Sequence, residues 1–445
     1  MSMEWFLDLL PLWMFVALFG LLLMGYPVAF TIGALALFFG WIGFGFDFFN
    51  LLPLRIWGII TNFTVLAVPM FVFMGVMLER SGLAEDLLET MSELFGPLRG
   101  GLSISVVIVG ALLAASTGIV GATTVTMGLL ALPTMLRRGY SPEMAAGTIA
   151  ASGTLGQIIP PSIVLVILGD MMGVPVWSLF MGAVIPGLVL VGLYLVFIVG
   201  CGLLRPDLMP VGTREERLKA APGTLALRVG KSLVPPLFLM TAVLGSIFAG
   251  VASPTEASAM GALCSLLLAW GRGRLNLPTL RNVMWATTRL TSMVFIILVG
   301  ATTFGLVFRG LEGDDLVREF IRWIPYGRWG VLTIVMLVLF IAGFFLDFIE
   351  ITFIHVPVVA PLMTHLGFDP LWVAVLIAVN LQTSFLTPPF GYALFYLKSV
   401  APEGVSTGHI YRGIVPFVAL QLIGLTLVIL FPQLVLWLPR VVLGR

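Results

Sequence analysis

The chain has 445 residues, of which 59% are hydrophobic and only 10% charged. A soluble domain carries about a quarter charged residues, so a chain this apolar has too little polar surface to face water. Its net charge of +1 gives no electrostatic footprint for a nucleic acid; what remains is a membrane protein, with apolar length for many spans of ~20 residues each.

The first apolar stretch, Trp5 to Met24, is too long for a signal-peptide core and lacks preceding basic residues, so it is expected to be the first span. Further spans are expected near 27–46, 63–80, 142–172, 176–203, 232–251, 254–271, 290–309, 370–399 and 411–438. Two apolar stretches, 102–136 and 329–364, are longer than one span and shorter than two. Small or polar residues interrupt each at its middle, Ser116-Thr117-Gly118 in the first and Asp347 to Glu350 in the second, which predicts re-entrant hairpins. An amphipathic segment directly precedes each hairpin, 83–98 and 311–324, and each is expected to lie at a membrane surface as an arm; a helix for docking a soluble partner is the competing reading. The long polar loop 204–231 separates the halves. Lys and Arg in short loops, among them Arg80, Arg99, Arg137, Arg138, Arg205, Arg272, Arg274 and Lys398, mark one side as cytoplasmic and put both termini outside. Arg309, Arg318, Arg322, Arg440 and Arg445 fall on the outer side against this rule.

The domains expected are N-terminal helices (1–62), a first repeat (63–203), the cytoplasmic linker, the opening helices of the second half (232–289) and a second repeat (290–438). The repeat is read from punctuation. Pro133 pairs with Pro361, Gly139 with Gly367, Pro142 with Pro370, and Pro160-Pro161 with Pro388-Pro389, all at an offset of 228 residues. By the loop count the copies start on opposite sides, so the repeat is inverted. Inverted repeats with broken helices at equivalent positions point to the binding site of a secondary transporter. The breaks are expected at Ser152 to Ser162 and at Asn380 to Pro389, because two successive prolines remove two backbone donors. A bland reading, two proline kinks that merely bend helices, is weaker because the kinks are in register and each is flanked by polar side chains.

At these residues the chain resembles the large membrane subunit of tripartite ATP-independent periplasmic (TRAP) transporters, within the ion-transporter superfamily. The resemblance rests on Gly25 to Phe30, Ala115 to Gly118, Gly153 to Ser162, Ser253 to Ala257, Leu346 to Glu350 and Gln382 to Pro389, and spans essentially the whole chain. It implies an all-α polytopic fold of the elevator type, with the hairpins and broken helices mobile against a fixed scaffold. It also implies Na⁺-driven uptake of an organic acid, often a carboxylate, across the bacterial inner membrane. The implied partners are a small membrane subunit, expected as a separate protein, a periplasmic substrate-binding protein and membrane lipid. No cofactor beyond sodium as coupling ion is expected, and no transition metal. A stand-alone sodium- or proton-coupled carboxylate symporter of the same superfamily is the alternative.

Two pseudo-symmetric sodium sites are expected. One joins Ser116, Thr117 and Gly118 to Gly153, Gly156 and Pro160; the other joins Asp347 to Gln382, Thr383 and Thr387. Backbone carbonyls are expected to supply most ligands. Asp347 is the sharpest single candidate, since a carboxylate inside an apolar stretch is costly; it also suits a helix N-cap. Glu350 either shares its function or is structural, and Glu256, after Ser253-Pro254-Thr255, reads as a capping residue. Helix N-termini after the breaks are expected to receive the anion, with Gln157, Ser162, Asn380 and Ser384 nearest it. Neither break carries an arginine, so charge recognition is expected to rest on helix dipoles, on Na⁺ ions, or on a group elsewhere such as Arg289. His355, His365 and His409 show no metal spacing, and Cys201 and Cys264 read as structural thiols. No phosphate loop is present, and no Ser–His or paired-Asp constellation suggests an enzyme such as an intramembrane hydrolase. A channel is disfavoured by the paired hairpins.

Overall fold

The computed structural model describes residues 9–211, 222–389 and 391–443, and these are helical with no strand among them. The start of the first expected span and the middle of the polar linker lie outside the described residues. The chain opens with α1 (Leu10–Leu23), α2 (Val28–Phe44) and, after a 3₁₀ stretch, α3 (Leu52–Ile60). Then α4 (Ala67–Arg80) bends by 57° into an amphipathic arm, α5 (Leu83–Phe95). The first hairpin is α6 (Gly101–Thr117) and α7 (Val120–Arg137), followed by the broken pair α8 (Pro142–Thr154) and α9 (Ile163–Met172) and the long α10 (Val176–Leu204). After the linker come α11 (Pro222–Phe248), α12 (Pro254–Gly271), α13 (Leu277–Gly310) and a second arm, α14 (Gly313–Arg322). The second hairpin is α15 (Gly327–Ala342) and α16 (Phe348–His365), and the second broken pair is α17 (Pro370–Leu386) and α18 (Tyr392–Val400). The long α19 (Thr407–Leu430) and the short α20 (Gln433–Leu443) close the chain. Arm, hairpin, broken helix and long helix thus occur twice in the same order. Six helical stretches among the described residues, the first running from α2 through α3, are long and apolar enough to cross a membrane; the other expected spans are shorter, broken or less apolar.

The repeated glycine–proline punctuation has a local cause. Gly139 and Gly367 adopt φ of +80° and +77°, the left-handed conformation that ends a helix. The following residues close the same loop, Tyr140 N donating to Met135 O and Phe368 N to Met363 O, both at 3.1 Å. One residue further, Ser141 and Asp369 cap the next helix, and Pro142 and Pro370 occupy its first position, where no N–H is needed. Each hairpin is therefore stopped, turned and restarted by the same four-residue device.

The α4 helix packs along α12 and α13, and α2 lies on α13. The hairpins, the broken helices, α10 and α19 form a second block, in which α8 is buried along its whole length from Met144. The first arm presents Leu83, Leu87 and Met91 to the protein. Its acidic face is held by ion pairs from Arg228 to Glu93 (2.8 Å) and Glu89 (3.5 Å), and from Arg272 to Asp86. Among the described residues, two side-chain bridges join α7 to α4 and α9 to the segment before α4. Thr126 Oγ1 on α7 donates to Glu79 Oε1 (3.3 Å), and Asn62 Nδ2 donates to both carboxylate oxygens of Asp170 (3.1 and 3.2 Å).

Several boundaries differ from the sequence expectation. The division drawn at 289/290 falls inside α13, one 34-residue helix. The last ten residues of the linker 204–231 belong to α11, and the span 411–438 is interrupted at Phe431–Pro432. The second hairpin turns at Gly343 to Leu346, so that Asp347 caps α16 and Glu350 lies in its first turn.

Candidate functional site

Both hairpin turns and both helix breaks converge on one cavity of about 120 Å³. Its wall takes Gly118 to Gly121 from the first turn, Gln157, Ile163 and Val164 from the first break, Asp347 to Ile349 from the second turn, and Tyr392 after the second break. Val72 of α4 and Leu290, Met293 and Val294 of α13 close the remaining side.

Four helix N-termini meet here, those of α7, α9, α16 and α18. Each presents backbone N–H groups without an intrahelical acceptor. At α16 they are met by the chain itself: Asp347 accepts from Phe348 N (2.7 Å), and Glu350 Oε2 accepts from Asp347 N (2.9 Å), closing a capping box. The other three have no side-chain cap. Ser162, at the N-cap of α9, instead donates its hydroxyl to Gln157 O (3.2 Å). The cavity is therefore edged by three uncapped positive helix ends and one acid-capped end.

Of the residues expected to bind cations, Gly118 and Asp347 line this cavity. Ser116 and Thr117 end α6, and their side chains lie outside the described residues. Gly118 turns at φ +62°, and a Cβ on it would stand 2.9 Å from Ile163 N, so the turn sits directly on the start of α9. Gly153 faces Thr124, whose side chain fills the space of a Cβ, and Gly156 faces Ala114 O of α6 at 2.7 Å from a Cβ position. Pro160 is buried within the first break, in a cis bond to Pro161; Pro388 and Pro389 form the matching cis bond.

The second break is shorter than expected. Helix α17 stays helical to Leu386, so Asn380, Gln382, Thr383 and Ser384 lie in its last turns and the irregular backbone begins only at Thr387. Thr383 and Thr387 donate to the carbonyls four residues before them, at 2.9 and 2.7 Å. Gln382 is fully buried and both its amide atoms lack partners. Among the residues expected near the anion, Gln157 lines the cavity, also with both amide atoms unpaired. Asn380 and Ser384 point elsewhere, donating to Met336 O (2.8 Å) and Phe340 O of α15. Arg289 is exposed and outside the cavity wall, as is His355, which is buried against Phe15 and Phe19. Glu256 closes a capping box with Ser253, as its spacing suggests.

Sequence reasoning missed three contributors. Tyr392 and Tyr396 line the cavity from α18, and their four-residue spacing was the available signal. The Thr124 hydroxyl, buried without a partner beside Gly153, had no signal, because its neighbour is reached only through the fold.

The family described as "Tripartite ATP-independent periplasmic transporter, DctM component" matches residues 15–434. The chain is 31% identical over 383 residues to the C4-dicarboxylate TRAP transporter large permease protein DctM of Pseudomonas aeruginosa, covering 85% of this chain and 87% of that one. It is 30% identical to the sialic acid TRAP transporter large permease protein SiaM of Vibrio cholerae, covering 96% and 97%. Its fold is similar to that of the Alcanivorax borkumensis YdaH transporter, with a TM-score of 0.65 at 15% identity over 96% and 98% of the two chains. The protein is a multi-pass component of the bacterial inner membrane. By the extent of the family match and the identity to its relatives, the chain belongs to the DctM-component family of tripartite ATP-independent periplasmic transporters.

Proposed function

We propose that the chain is the large permease of a sodium-driven importer that takes up an organic acid delivered by a periplasmic binding protein. A small membrane subunit is its partner in the bilayer. The observation that carries the reading is the convergence of both turns and both breaks on one cavity edged by three uncapped helix N-termini. Such ends attract carboxylate without an arginine, which matches a wall that contains none. The relatives named for C4-dicarboxylate and sialic acid favour a carboxylate as substrate.

Sodium fits the donors present. Hard cations take oxygen ligands, and unwound backbone supplies them in secondary transporters. Gln157 lines the cavity with its amide oxygen unpaired, and one carboxylate oxygen of Asp347 accepts a single backbone bond. Bound sodium would supply positive charge beside the anion, while Asp347 and the break carbonyls hold it. We further assign α4, α12 and α13 to a static wall and the hairpins with their broken helices to the inverted-repeat block that moves past it, an elevator motion. The two side-chain bridges between the blocks then open and close with each cycle.

The test is uptake by the chain and its small subunit in liposomes. Uptake should require both the binding protein and an inward sodium gradient. Uptake without any binding protein would refute this reading in favour of a stand-alone symporter. The substitution Asp347→Asn keeps a residue equally suited to the N-cap but removes the charge. It should leave expression intact and lower sodium-driven uptake at least roughly tenfold; wild-type uptake would take Asp347 out of the mechanism.

A further inference from the structure

A second and larger cavity, about 670 Å³, lies between α9, α13 and α16, three of the helices that line the central one. The central cavity takes Val164 of α9, Val294 of α13 and Ile349 of α16; the larger one begins at Asp170, Leu298 and Phe353 on those helices. On α13 and α16 the gap is one helical turn, ~6 Å. Leu298 and Phe353 are 3% and 2% exposed, so packed apolar side chains separate the two spaces. The Lys and Arg distribution of the loops puts the larger cleft on the outer side.

The wall of this cleft carries a cation, which the central one lacks. Arg309, Thr302, Thr364 and His365 line it. Arg309 breaks the positive-inside bias, as do Arg318 and Arg322, which line the adjoining cavity between α14 and α16. Arg318 is paired with Asp315 at 3.2 Å. Arg309 has no ion pair among the described residues; its Nε donates to Gly305 O (3.2 Å), and its side chain lies over that glycine. The acid in the wall, Asp170, is covered by the Asn62 amide through two hydrogen bonds. Arg309 is exposed to the cleft, and a permanently charged guanidinium with no ion pair among the described residues, in a cleft of small-molecule size, offers its charge to an anion that enters.

We propose that this cleft is an outer capture site for a small organic anion, with Arg309 as its charge-recognising residue, one turn above the central cavity. The site is the step between release by the binding protein and entry to the centre, and in that respect it rests on the function proposed above.

The test separates the two. In the full chain with Cys201→Ala and Cys264→Ala, Thr302→Cys is reacted with an anionic reagent, 2-sulfonatoethyl methanethiosulfonate, and a cationic one, 2-(trimethylammonio)ethyl methanethiosulfonate. The anion-to-cation rate ratio, normalised to a free thiol, should exceed one. Arg309→Gln should lower it roughly three- to tenfold, and Arg309→Lys should preserve most of it. In liposome uptake with the binding protein and succinate as probe, Arg309→Gln should raise KM roughly three- to tenfold at unchanged kcat. A normalised ratio at or below one, or one that Arg309→Gln leaves unchanged, overturns the proposal. In the latter case, a weakened binding-protein step would assign Arg309 to protein docking instead. If no organic acid is transported at all, the proposed function fails while the rate ratio still reads the cleft.

Discussion

Asp347 caps α16 and lines the central cavity at once. The cap was legible in the sequence, because the three-residue spacing of Asp347 and Glu350 spells a capping box. The amides and hydroxyls of α17 misled for a physical reason. Polar side chains deep in a membrane helix suggest a ligand, yet Asn380 and Ser384 spend their donors on carbonyls of α15. Asn380→Ala should therefore cost about 1 kcal/mol of stability by stranding Met336 O, read as a lower melting temperature in detergent, with KM for substrate unchanged. A KM rise of tenfold or more would return Asn380 to the binding site. Gly118→Ala should cost roughly 1–2 kcal/mol, since it places a Cβ at positive φ against the start of α9.

At the scale of elements, the two breaks are alike in position and unlike in length. The first begins at Leu155, five residues before its proline pair, and the second only at Thr387, one residue before its own. Gly153 and Gly156 loosen the helix before the first proline pair, whereas α17 has no glycine ahead of Pro388. A proline removes its own N–H and disturbs only the preceding turn, so α17 holds until Leu386. That local rule was available from the sequence; reading the second break as starting at Asn380 carried the first break's looseness across. The caps offer a paired test. Asp369 accepts two backbone N–H groups and Ser141 one, so Asp369→Ala should lower stability by about 1–2 kcal/mol and Ser141→Ala by about 1 kcal/mol, measured by thermal unfolding in detergent.

Across the whole molecule, the all-helical membrane fold, the hairpins and the doubled punctuation were legible because they follow from composition and from proline and glycine chemistry. What stayed hidden is long-range. Nothing in the chain announces that four helix ends share a cavity, or that Thr124 lies against Gly153. If sodium binds the folded protein as proposed, sodium but not potassium should raise the melting temperature, equivalent to about 2.7 kcal/mol at a hundredfold excess over Kd, and Asp347→Asn should remove part of that gain. The close seating of α8 on α19 offers a way to watch the cycle. A Cβ on Gly413 would run into the backbone of Glu143, and one on Gly147 into that of Gly413, so the two helices are locked together like meshed racks. Val415, on the outward side of α19, is 61% exposed. Under the elevator motion proposed above, a spin label or fluorophore attached there would ride with α8, and its distance to a marker on α12 would turn displacement of the buried centre into a signal read from the lipid-facing surface.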